Sequence, residues 1–124
     1  MRIIPVLTLG ALVMGVVVFI DAARPLGAHP WWSQKSLLIG TPIGLILAAL
    51  AIRTSRPLSG LFGFVLATAV ALTFAKYGQT QFAASYAEDA LAGRMWYFGW
   101  IATGASLAGG ITTGIAVMLS PRKS

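Results

Sequence analysis

The chain contains no cysteine, which removes disulfides, thiolate metal ligands and cysteine nucleophiles together. Its one histidine is His29, so a haem held by two histidines of this chain and a multi-histidine metal site are both excluded. Acids are scarce as well: Asp21, Glu88 and Asp89 stand against nine basic residues. Charged residues make up 10% of the 124 residues, where a soluble domain would carry roughly a quarter. So little polar surface cannot cover a water-exposed globule, and a second, apolar solvent is implied.

What is present agrees with that solvent. The chain is 57% hydrophobic, with a mean hydropathy of +0.82. Its net charge of +6 raises nucleic acid as a partner, but the basic residues are scattered singly or in pairs, with no basic stripe and no groove-reading helix. Positive charge beside apolar segments is what membrane topology requires. Nucleic acid is therefore set aside, and one membrane domain over residues 1–124 is expected.

The charges cut the chain into four uncharged stretches, at residues 3–20, 36–52, 57–75 and 95–121. A hydrocarbon core about 30 Å thick needs around 20 helical residues, in a range of about 17 to 25. Unpaired backbone is not tolerated in lipid, so each stretch is read as a helix. The expected fold is all-α: four transmembrane helices over about 3–20, 36–52, 58–75 and 95–119, in an antiparallel bundle. The first run is long for the 7–15-residue apolar core of a signal peptide, and "DAA" is an atypical cleavage site, so an uncleaved span is expected. Four spans place both termini on one side, with Arg2, Arg53, Arg56, Arg122 and Lys123 in short segments and no acid. That side is expected to be cytoplasmic, in a multi-pass protein of a bacterial inner membrane.

Aromatic residues mark the opposite side. Trp31 and Trp32 precede the second span, and Trp96, Tyr97 and Trp100 open the fourth. All five are expected as anchors at the outer interface, where amphipathic rings settle. Between the third and fourth spans, "TQFAASYAEDALAG" has Thr80 to cap a helix and Gly93 to end one. Phe82, Tyr86 and Ala90 share a face, so a short interfacial helix before the fourth span, or an extension of the third span, is expected.

"GASLAGGITTG", from Gly104 to Gly114, resembles a phosphate-cradling loop only at a glance. Gly110 stands where a P-loop needs lysine and Ile111 where it needs serine or threonine, and an anionic nucleotide could not follow it into a long uncharged run. On a helix, Ala102, Ser106, Gly110 and Gly114 recur every four residues. Small residues at that spacing let membrane helices approach closely. The second span has Gly40, Gly44 and Ala48; the third has Gly63, Ala67, Ala71 and Ala75. These three seams are the expected packing surfaces, and one in surplus would serve a partner.

Chemistry finds little foothold. No span carries an ionisable residue in its middle, where proton-coupled carriers place a carboxylate, and no acid–base constellation supports an enzyme. Asp21 and Lys76 lie at similar depth and could pair. His29 with Asp21, Glu88 and Asp89 is too dispersed to be read as a metal site. Pro42 is expected to kink the second helix, with a broken helix at "GTPIG" as the rarer form. An apolar cofactor needs only shape and leaves no trace in residue pattern, so none is assigned. The expected role is a non-catalytic subunit or assembly partner of a larger membrane complex, contacting lipid and other subunits or its own copies. The alternative is a small oligomeric channel or carrier, its path lined by Pro42 and the hydroxyls of the fourth helix: Thr103, Ser106, Thr112 and Thr113.

Overall fold

A computed structural model describes residues 3–54 and 56–120. They form four α-helices: α1 (Ile3–Phe19), α2 (Ser33–Arg53), α3 (Pro57–Ala84) and α4 (Ala90–Leu119). Three of them, α2, α3 and α4, are long and apolar enough to cross a membrane, which fits a multi-pass membrane protein. The first is more apolar but shorter, at 17 described residues; at its C-terminal end Ile20 and Asp21 leave the helix, and Asp21 adopts a left-handed φ of 55°. At 1.5 Å per residue α3 and α4 are about 42 and 45 Å long. Both overreach a hydrocarbon layer of about 30 Å.

The extra length comes from the segment expected to form a short interfacial helix or to extend the third span; no separate helix is present among the described residues, and the stretch lengthens α3 and α4 instead. Residues up to Ala84 continue α3, five residues turn, and α4 starts at Ala90. The Thr80 hydroxyl donates to the Lys76 carbonyl one turn back and caps nothing. The helix stops at Ser85 because Tyr86 and Ala87 take left-handed φ values of 56° and 64°. The cap of α4 is Asp89, whose carboxylate accepts from the Ala92 amide at 3.0 Å. Gly93, expected as a terminator, lies inside α4.

Consecutive helices reverse direction. Along α3 and α4, Gly60 lies by Thr113, Phe64 by Gly109, Ala75 by Gly99, Gly78 by Trp96, and Phe82 by Gly93. Gly10 of α1 meets Thr112, and the Gln34 amide at the start of α2 donates to the Val18 carbonyl near the end of α1. The pair α2 and α4, two apart in the chain, runs in the same direction: Trp32 meets Trp96 and Tyr97 edge-on, Gly40 sits by Ile101, and Gly44 by Ala108. Among the described residues α2 and α4 each touch all three other helices, while α1 and α3 do not touch. The core is built around α4, because its contacts with α3 and α2 are the most extensive.

Its composition permits this. The buried positions of α4 include Gly99, Gly104, Ala105, Ala108, Gly109, Thr112, Thr113 and Ala116, nearly all small, so neighbours approach it from several sides. The threonines bury without penalty when their hydroxyls bond to their own helix. Thr103 donates to Gly99 and Thr113 to Gly109, each at 2.8 Å. Thr112 is the exception: its hydroxyl is buried with no partner, facing Gly10 of α1.

Pro42 lies within a single helix, with no break at "GTPIG". The Thr41 hydroxyl donates to the Leu37 carbonyl at 2.8 Å, adding a bond beside the one proline removes.

Candidate functional site: the helix-packing seams and the aromatic rim

The seam of α2 packs closely on α4 along its whole length. Gly40, Gly44 and Ala48 are all buried. A Cβ on Gly40 would stand 2.6 Å from the Ala105 amide nitrogen and 2.6 Å from the Ile101 carbonyl. At Gly44 it would meet the Ala105 carbonyl, with the Ala108 methyl at 2.7 Å. Such distances mean backbone against backbone, where dispersion and weak Cα–H···O contacts do the holding.

The seam of α3 divides in two. Ala71 and Ala75 are buried, continued by Gly78, and a Cβ on Gly78 would come within 2.5 Å of the Trp96 amide. Gly63 and Ala67 are exposed, and a Cβ on Gly63 would meet nothing. The α3 residues facing α4 at this level are Gly60 and Phe64, whose ring presses on Gly109.

The fourth-helix seam is likewise displaced from the buried face. Ala102 is exposed, and Ser106, Gly110 and Gly114 are half-buried. A Cβ on Gly110 would stand 3.4 Å from Phe64 of α3, and one on Gly114 3.8 Å from Leu61, ordinary contact distances that leave room for a methyl. The face against α2 runs through Gly104, Ala105 and Ala108 instead. Ala102 and Ser106 join Gly63, Ala67, Ala71 and Gly99 on the floor of an open groove of about 510 Å³, walled by Leu66, Val70, Phe74 and Phe98.

The aromatic residues gather at the end opposite Arg53 and Arg56, and they do not all sit at the rim. Trp31 is 91% exposed. Trp32 packs edge-on against Trp96 and Tyr97, with centroids 5.2 and 5.1 Å apart. The Trp96 indole donates to the Gly27 carbonyl at 2.9 Å, tying the 20–32 connection to α4. Trp100 is corrected: it is 3% exposed and clusters with Ala23, Ala28, Leu37 and Ala75. The small residues around it leave a space that only a large ring fills.

The polar residues at this end pair differently from expectation. Asp21 accepts from the Ser33 hydroxyl at 2.5 Å and lies 3.6 Å from Arg24, while Lys76 extends toward Gly27. His29 is held by rings, those of Trp31, Trp32 and Trp96 lying within 6.0 Å, and its Nδ1 accepts from the Trp31 amide. Among the described residues no group of three metal-ligating side chains comes together. The residues of the channel alternative do not share a surface. Pro42 is exposed on α2, whereas Thr103, Thr112 and Thr113 are buried within the helix assembly.

One cavity was not anticipated from the sequence. It has a volume of about 450 Å³ and is lined by Trp31, Trp32, Lys35, Ala90, Gly93, Arg94 and Tyr97. Its members come from two helix beginnings 55 or more positions apart, so only the parallel packing of α2 on α4 brings them together.

These features define an all-helical protein with three helices long and apolar enough to cross a membrane. No protein-family model matches the chain, and no curated protein or solved structure matches it.

Proposed function

We propose that the protein is a non-catalytic subunit of a larger membrane complex, with four spans in antiparallel succession and both termini in the cytoplasm. In this reading α1 crosses beside α2, and the short basic segments around Arg53 and Arg56 stay inside. Arg2, Arg122 and Lys123, which lie outside the described residues, add to the same side in sequence.

The observation that carries the reading is the open groove on α3 and α4. Gly63 and Ala67 continue the line of Ala71 and Ala75, yet both are exposed among the described residues. A glycine inside a helix costs roughly 1 kcal/mol relative to alanine and is returned in lipid only when another backbone comes close. The proposed occupant is a transmembrane helix of a different subunit, lying on the small floor between Phe74 and Phe98.

Native mass spectrometry of the tagged protein, extracted gently from its own membrane, tests this. A partner in fixed stoichiometry, lost in Gly63→Leu and Ala67→Leu variants that keep their own fold, is the expected result. A chain that runs alone, or a partner indifferent to both substitutions, overturns it. A homo-oligomer alone would replace it with the channel alternative and call for liposome flux assays.

A further inference from the structure

We propose that the cavity between Trp32 and Tyr97 binds the headgroup of an anionic phospholipid, with Lys35 and Arg94 as its phosphate partners. Both cations line the same cavity, and no carboxylate among the described residues lies within ion-pairing distance of either. The acids at this end are turned elsewhere: Asp21 to Ser33 and Arg24, Asp89 to the Ala92 amide. Glu88 does not line the cavity. Two uncompensated cations in one concave site favour an anion, and a guanidinium suits a phosphate with two parallel hydrogen bonds.

Depth and surroundings choose the source of that phosphate. Lys35 lies in the first turn of α2 and Arg94 in the second turn of α4, each flanking an apolar span. Tryptophan and tyrosine rings line the walls at the level where lipid headgroups lie. Lys35 also lines a second cavity, of about 630 Å³, between α1 and α2. Its other walls include Met14, Val18 and Leu38, an apolar path suited to an acyl chain. A soluble anion would use only the first cavity. A lipid uses both, with the lysine stem bridging them. A zwitterionic headgroup would bring an ammonium beside two cations with no carboxylate to receive it.

The test is lipid retention in native mass spectrometry after reconstitution in equimolar phosphatidylglycerol and phosphatidylcholine. The expected result is selective retention of phosphatidylglycerol, weakened about fivefold by Lys35→Gln or by Arg94→Gln. The control pair Arg24→Gln with Lys76→Gln, at the same end, should leave it unchanged. Equal retention of both lipids overturns the proposal. So does an equal loss in the control pair, which would mean diffuse surface charge. Displacement of the lipid by millimolar inorganic phosphate would mark a soluble-anion site and overturn it too. Lys35 and Arg94 are exposed, so the unfolding midpoint of each variant should match that of the parent.

Discussion

The seam of α2 and the seam of α3 are written with the same kind of residue at the same spacing, yet one closes along its whole length and the other along half. The difference is angular. A residue advances about 100° around a helix of 3.6 residues per turn, so a four-residue repeat drifts about 40° at each step. From Gly40 to Ala48 the drift is two steps, and all three members remain against α4. From Ala75 back to Gly63 it is three steps, about 120°, and Gly63 has left the contact. The face of α3 that meets α4 follows a mixed spacing through Gly60, Phe64, Ala71, Ala75 and Gly78.

The largest expected effect is at the closed seam. Gly44→Leu drives a side chain into the Ala105 carbonyl and the Ala108 methyl and should destabilise the protein by about 3 kcal/mol or more, read as denaturant unfolding in detergent. Gly78→Leu, at the closed half of α3, should cost about 2–3 kcal/mol in the same assay. Trp96→Phe keeps the ring but deletes the bond to the Gly27 carbonyl, for a loss of about 1 kcal/mol. Thr112→Val replaces an unpartnered buried hydroxyl with a methyl of similar shape and should be neutral or slightly stabilising. Gly63→Leu should change stability by less than about 0.5 kcal/mol. A large loss there would erase the contrast between the two seams, because it would mean that the open half is closed within the chain.

Most of the fold was legible in the charges. The gaps between Lys35 and Arg53, Arg56 and Lys76, and Arg94 and Arg122 each enclose most of a helix long enough to span. Charge says less about where a helix continues past the apolar layer. The Lys76–Arg94 segment stayed open between two readings for that reason: an amphipathic stretch beyond a membrane helix has the composition of an interfacial one, and only backbone geometry at Tyr86 and Ala87 sets the break. Trp100 was misplaced because distance along the sequence from Trp96 and Tyr97 was taken for depth. One further turn carries its ring under the 20–32 connection. The Lys35–Arg94 cavity left no local signal at all, since it depends on α2 and α4 running parallel, and sequence adjacency speaks only for α1 with α2, α2 with α3, and α3 with α4.

The central position of α4 has a consequence for biogenesis. Chains emerge from their N-terminal end, so α4 follows the three helices that lean on it. Until its 30 residues arrive, Gly40 and Gly44 have no surface to close on, and α1 and α3 are joined only through α2. The nascent protein passes through a stage in which its most adhesive stripe is open to any neighbouring helix. Completion of the C-terminal segment is what withdraws that stripe from competition, so a stalled or truncated chain would be recognisable to quality control by the glycines it leaves uncovered.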